Sequence, residues 1–487
     1  MAGEGAQGVN MKKASLWGSL LLPLMLAQFV CSYAASNMNV AVTSIANELD
    51  SSVHGVQIAI TLFTLTMAAL MIPGSKLTDI WGRKRTFQIG LIVYGLGALV
   101  GALTPGMGIL YLGYSIMEGV GSALLIPPVY ILATVNYTAT ESRAKAFGGI
   151  SAAGGIGAAM GPLVGGFLTT TISWRASFIL QALIVLLIII QARRIVDPGI
   201  QGARPRLDLV GAGLSAAGLF FVVAGILATG TYGWSSAVVW AMVAIGGVIL
   251  ALFFLHIQSR ERRGRSPLIA THIFRNRTSN LGLVTQLVQW MVLQGAFFAI
   301  SVFFQTVRGF SAVSAGLIVT PATIGILLTG TRARKMATRT TQRRLIIIGF
   351  VLTAIGMALV ILLPMITSGA ATANVWYFVP GLFLMGLGIG TMLTSSVNVV
   401  QSAFPEKDQG EISGLSRSIS NLGSSFGTAV IGSILITTLL PQTQTYGLAL
   451  IAVIIASIVG LVAAMLIPRG DEEKVRERKG EDEHATL

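Results

Sequence analysis

Fourteen apolar segments of about twenty residues recur along this 487-residue chain, separated by short polar connections. A helix needs about 20 apolar residues to cross the hydrocarbon of a bilayer. Backbone that crosses lipid must satisfy its own hydrogen bonds, which a helix does within a single segment. The pattern therefore predicts an all-α polytopic membrane protein. Its first span falls near residues 16–41, its thirteenth near 412–438 and its last near 445–467. Composition agrees: 53% of residues are hydrophobic and 11% charged, against about 25% charged in soluble domains. Only lipid can cover that much surplus apolar surface.

With the amino terminus inside, all of the 33 Lys and Arg except Arg175, Arg308 and Arg417 fall in cytoplasmic segments. So strong an asymmetry predicts both termini in the cytoplasm of a cell in whose inner or plasma membrane the chain sits. The net charge of +14 is spread over many short loops rather than gathered on one face. It fits attraction to anionic inner-leaflet lipid and not nucleic-acid binding. Lys12 and Lys13 before the apolar run from Leu16 to Leu26 imitate a signal peptide, but that run continues well past the 7–15 residues of a signal core. It is expected to be the first span. Cys31 is the sole cysteine, which rules out an intrachain disulfide and a cysteine-cluster metal site. The four histidines have no metal-ligand spacing, and no phosphate-binding glycine loop is present. No metal, no cofactor, no enzymatic activity and no ATP-driven pumping by this chain alone are expected.

Between the second and third spans lies Ser75-Lys-Leu-Thr-Asp79-Ile-Trp-Gly82-Arg83-Lys84-Arg85, an acid, a glycine turn and a group of cations at a reversal of direction. It resembles the signature loop of major facilitator superfamily transporters, with Asp79, Gly82, Arg83 and Lys84 at matching positions and Ser75 where the signature opens with glycine. The resemblance implies a conformational lock on the cytoplasmic side of the first helical bundle. A plain positive-inside loop would also account for the cations.

The loop between the tenth and eleventh spans, Arg334 to Arg344, resembles a worn copy in which Thr338 replaces the acid and Thr341 the glycine. This repetition implies two six-helix bundles related by an axis along the membrane normal. The expected organisation is a cytoplasmic amino terminus at 1–15, a first bundle at 16–195, a linker with spans 7 and 8 at 196–280, a second bundle at 281–467 and a charged cytoplasmic tail at 468–487.

Further matches resemble the fourteen-spanner drug/proton antiporter branch of that superfamily. In span 5, Gly157, Gly161, Pro162, Gly165 and Gly166 match its antiporter glycine-proline motif. The first three glycines at i, i+4 and i+8 also make a flat stripe for close helix packing, whatever the transport direction. Trp174-Arg175 and the segment from Pro267 to Arg277 match as well. Two departures matter more. The acid that relatives carry in span 1 is Ala34 here, and the Arg of their span 4 is Ser115, with Glu118 where they have an amide.

Every other acid can be placed in or beside a loop, so Glu118 is the one carboxylate expected inside a span. Such a group must be neutral, paired or hydrated, because an acid at mid-helix costs about 2.5–3.5 kcal/mol. It is a candidate proton carrier, or else a structural acid, or a holder of a cationic substrate. Arg417 in span 13 is the matching lone cation, able to pair with Glu118, to bind an anionic substrate or to snorkel to the interface.

Polar residues in three spans suggest a cavity wall: Gln28, Tyr33 and Asn37 in span 1, Tyr111, Tyr114 and Ser115 in span 4, and Gln286, Gln289, Trp290 and Gln294 in span 9. Interhelical hydrogen bonding explains each of them singly. As a set they suit an amphipathic small molecule. The expectation is a proton-coupled exporter of a drug, dye or metabolite, working by alternating access in contact with membrane lipid. A lipid or fatty-acid exporter, and a non-transporting receptor or scaffold on a transporter fold, are the alternatives.

Overall fold

The computed structural model describes residues 4–137, 140–193, 195, 207–367, 373–404, 409–435 and 442–468. The charged tail from 469 and the loops at 196–206 and 405–408 lie outside this set, as do the side chains of 4–19 and of 330–339, Thr338 included. In chain order the helices are α1 (Glu4–Asn37), α2 (Val42–Glu48), α3 (Val53–Trp81), α4 (Arg83–Ala102), α5 (Met107–Leu110), α6 (Gly119–Asn136), α7 (Thr140–Thr171) and α8 (Arg175–Ala192). Then come α9 (Leu209–Tyr232), α10 (Ala237–Arg262), α11 (Arg277–Val302), α12 (Ala312–Arg339), α13 (Gln342–Thr367), α14 (Val379–Ser402), α15 (Gln409–Leu435) and α16 (Gln442–Met465). No strand occurs among the described residues.

Thirteen of the spans are helical, long and apolar enough to cross a membrane. The expected span at 412–438 corresponds to α15, which has the length, at 27 residues, but not the hydropathy. Its sequence is threaded with serine, and Ser416, Ser418, Ser420, Ser424, Ser425, Thr428 and Ser433 are all buried. α15 is enclosed by α3, α9 and α11, so its polar groups meet protein rather than lipid.

One core is built from α1 to α8 around Phe63, Phe87, Tyr94, Tyr114 and Phe178, joined by Phe298 and Val302 of α11. A second is built from α11 to α16 around Phe303, Phe304, Phe350, Phe378 and Tyr446. Outward faces carry exposed Leu183, Leu186 and Ile190 on α8 and Val248, Leu252 and Leu255 on α10, as lipid-facing helices require. Lipid tails are as apolar as these side chains, so association within each bundle relies on close packing and hydrogen bonds. The α3–α4 turn illustrates local control. Gly82 separates the two helices with φ at 97°, a conformation that an L side chain resists.

The linker helices α9 and α10 form a hairpin. At its base the Asp208 carboxylate caps α9 by accepting from Gly211 N–H (3.0 Å) and lies against His256 Nε2 (3.0 Å) and Arg260 Nε (3.4 Å) of α10. α9 then packs over the seam between the bundles, with Val223 and Leu227 meeting Leu65 and Ala68 of α3 and Leu422 and Ala429 of α15.

Candidate functional site

The two bundles meet along two seams. The α3/α15 seam is fastened from end to end by side chains that donate to backbone carbonyls of the facing helix. Gln57 Nε2 reaches Thr428 O (3.0 Å) and Ala429 O (3.1 Å), Ser425 Oγ reaches Thr61 O (3.2 Å), and Ser418 Oγ reaches Ala68 O. At the basic end, Lys76 of the signature loop pairs with Glu411 of α15, whose second oxygen accepts from Ala270 N–H (3.1 Å). The second seam, α7/α12, is closed toward the opposite end. There Val313 N–H of α12 donates to Thr170 Oγ1 of α7 (3.1 Å), and beside the seam Thr43 Oγ1 of α2 donates to Gln305 Oε1 (2.7 Å) and Gln294 Nε2 of α11 to Ala35 O of α1 (2.9 Å).

The glycine stripe of α7 packs against α1 within the first bundle. A Cβ at Gly157 would strike the Phe29 carbonyl, one at Gly161 the Ser36 hydroxyl, and one at Gly165 would lie 2.9 Å from Asn37 Cβ. Three glycines thus let α1 and α7 touch backbone to backbone. Pro162 and Gly166 turn the other way, against Gly316 and Ala312 of α12.

Glu118 closes an eight-residue π-helical stretch, Tyr111–Glu118, that joins α5 to α6. π segments inside helices are rare and collect at functional sites. This one packs where α4 lacks side chains: a Cβ at Gly97 would meet Gly113 O at 2.7 Å and Glu118 N at 2.8 Å. The Glu118 side chain is wholly buried within the first bundle, faces no counter-charge among the described residues, and has only the Tyr94 phenol placed to hydrogen-bond its carboxyl. Cys31, Tyr94 and Tyr114 are the titratable side chains around it. Tyr94 is the nearest phenol, but its hydroxyl already reaches Gln181 Oε1 (2.5 Å) and Val30 O (3.2 Å).

Several residues expected in a cavity wall are spent inside the bundles instead. Tyr33 OH donates to Ser177 Oγ (3.2 Å), Tyr114 OH to Ala34 O (3.1 Å), Ser115 Oγ to Ala59 O (2.8 Å) and Tyr111 OH to Gly55 O (3.1 Å). Gln286 and Gln289, both fully buried, accept from Ser416 (2.9 Å) and Ser396 (2.7 Å). Asn37 is 2% exposed. Interhelical hydrogen bonds thus engage Tyr33, Tyr111, Tyr114 and Ser115 and the amide oxygens of Gln286 and Gln289, while Asn37 Oδ1, Gln286 Nε2 and Gln289 Nε2 are buried without a partner. Gln294 crosses between bundles, and Trp290 remains partly exposed.

Arg417 does not pair with Glu118. Its guanidinium crosses to α6, donates to Tyr130 OH and lies 5.0 Å from that ring's centroid. Tyr130 OH in turn donates to Gln28 Oε1 (3.3 Å). The signature loop contributes contacts at the basic end. Lys76 makes the cross-bundle ion pair, whereas Lys84 donates to Arg193 O (3.1 Å) within the first bundle. Asp79 acts electrostatically on the cluster formed by Lys76, Arg83 and Glu411. Tyr130, Gln57, Lys76 and Glu411 were not singled out from the sequence.

The comparisons with known proteins bear on the whole chain. The model of the Major Facilitator Superfamily matches residues 24–208, 206–428 and 335–487. The puromycin resistance protein pur8 of Streptomyces alboniger is 28% identical over 419 residues, covering 86% of this chain and 81% of that protein. A probable actinorhodin transporter of Streptomyces coelicolor is 29% identical, covering 82% of this chain and 68% of its own length. The multidrug resistance protein Stp of Mycobacterium tuberculosis is 25% identical, covering 85% and 75%. Among solved structures, a peptide transporter POT in complex with sulfate has a similar fold, with a TM-score of 0.65 at 17% identity and coverage of 92% of this chain and 95% of that one. This chain is a multi-pass membrane transporter that belongs to the major facilitator superfamily.

Proposed function

We propose that this transporter exports amphipathic small molecules in exchange for protons, by alternating access between two six-helix bundles, with both termini in the cytoplasm. Relatives named for antibiotic resistance and export support the direction and the kind of cargo. In this reading Glu118 is the proton site, and the observation that carries it is the complete enclosure of its carboxyl with no counter-charge beside it among the described residues. A carboxylate buried without a counter-charge is costly. Ionisation and enclosure therefore exclude one another. Enclosure requires the proton, and release of the proton requires water or a counter-charge, which only an opened bundle supplies. The π-helical stretch supports the same role, because its excess turn is a local irregularity through which α6 can change register beside Gly97. In the same reading, Asp79, Gly82, Arg83 and Lys84 shape the signature loop so that Lys76 reaches Glu411 and fastens the cytoplasmic end.

The test uses everted vesicles with a preformed proton gradient. Adding a transported dye should discharge the gradient, and Glu118→Gln should abolish the discharge at an unchanged protein level. Undiminished discharge in that variant would remove Glu118 from the coupling.

A further inference from the structure

We infer that Arg417, held by Tyr130 and Gln28 between the bundles, is the recognition point for an organic oxyanion, so that the cargo is an amphiphile bearing a carboxylate or a similar anionic group. Among the described residues, Arg417 is the one formal charge between the bundles away from the helix ends. It lies six residues into α15 from Glu411, about 9 Å deeper than the Lys76 ion pair at 1.5 Å per residue.

Its surroundings are built for a cation that awaits a partner. A guanidinium carries five N–H donors. Here its acceptor among the described residues is the Tyr130 hydroxyl, with no carboxylate in reach. Tyr130 gives its own proton to Gln28 Oε1, and Gln28 Nε2 donates to Ser32 Oγ (3.1 Å). The chain Ser32–Gln28–Tyr130 therefore turns a phenol lone pair toward Arg417 and fixes the guanidinium over the Tyr130 ring, a cation–π arrangement that holds its plane. The donors left over can take a carboxylate in the bidentate geometry peculiar to arginine. Arg417 is also partly exposed, whereas Glu118 is enclosed inside the first bundle. An anion arriving between the bundles meets a counter-charge, and a cation meets only the repulsion of Arg417.

This inference rests on the export reading for the claim that the bound anion is cargo. Its test is separable from that reading, because it measures binding rather than proton exchange. The full chain in nanodiscs is titrated against 5-carboxyfluorescein and rhodamine 123, two dyes that share a xanthene body and differ in charge. Wild type should bind the anion at least about ten-fold more tightly than the cation, and Arg417→Gln should erase that preference by weakening carboxyfluorescein without weakening rhodamine 123. Arg417→Lys should retain part of it, since charge without the planar fork remains. Equal affinity of wild type for the two dyes overturns the inference even if Arg417→Gln does not fold. Unchanged carboxyfluorescein binding in a folded Arg417→Gln protein overturns it as well. Anion binding without discharge of a proton gradient would sustain Arg417 and remove the exchange reading. Discharge by the cationic dye alone would do the reverse.

Discussion

At the scale of single residues, the cross-bundle ion pair between Lys76 and Glu411 joins the signature loop to α15 and, through Ala270 N–H, to the segment leading into α11. Both side chains are partly exposed, so the pair is worth at most about 1 kcal/mol in isolation. Under the proposed alternating access, that is still a shift of about five-fold in population. Reversing either charge, as Lys76→Glu or Glu411→Lys, should slow dye export several-fold, and combining both changes should recover most of the rate. A double variant as slow as either single one would deny the pairing. The sequence supplied Asp79, Gly82, Arg83 and Lys84 from family resemblance, and Gly82 was also legible physically because a turn between two spans needs a residue free to take a φ of 97°. Lys76 and Glu411 were not. They stand 335 positions apart, and each looked like one more loop charge at the basic end. Tyr130 was missed for the same reason, since its partner Arg417 is 287 positions away.

Elements were the most legible level, because a run of twenty apolar residues carries its own explanation. The exception was α15, whose serines lower its hydropathy and whose burial against α3 and α11 removes the need for apolar side chains. The π-helical stretch ending at Glu118 was not legible at all. A widened turn depends on what lies opposite, here the bare backbone of α4 at Gly97. The hairpin of α9 and α10 carries its own prediction. Burial pushes the Asp208 carboxyl up, but Gly211 N–H, His256 and Arg260 together outweigh it and hold the group below the usual carboxylate range. A depressed carboxyl stabilises the fold fully above its unfolded value of about 3.9 and loses that contribution as pH falls through its folded value. Asp208→Asn keeps the helix cap but should lower thermal stability at pH 7 by about 1 kcal/mol, as the contacts with His256 and Arg260 change from charge-assisted to neutral, and the gap from wild type should close toward pH 3. A gap that stays constant across that range would show that the charge of Asp208 does not matter.

For the whole molecule, the arrangement of seams predicts which parts must separate during transport. Cys31 is the only cysteine and is buried, so replacing it with serine gives a simple background for paired cysteines. A Thr170→Cys and Val313→Cys pair, set where these residues already touch, should stop dye export when oxidised and restore it on reduction. A Leu227→Cys and Leu422→Cys pair, which ties the linker hairpin to the second bundle, should leave export within about two-fold of the background, since this cross-link leaves the α7/α12 seam free to part. Export that survives the first cross-link would mean that the α7/α12 seam stays shut throughout the cycle. The α3/α15 seam has a different economy. Its donors Gln57, Ser418 and Ser425 attach to carbonyls that already accept within their own helices. Pulling the seam apart therefore strands no backbone group, and each freed serine hydroxyl can fall back on the carbonyl four residues behind it. Each such bond is worth only about 1 kcal/mol, and its loss is largely refunded on the home helix. The contact is a reusable adhesive, firm when summed over the length of the helix, cheap to peel one turn at a time, and ready to stick again unaltered.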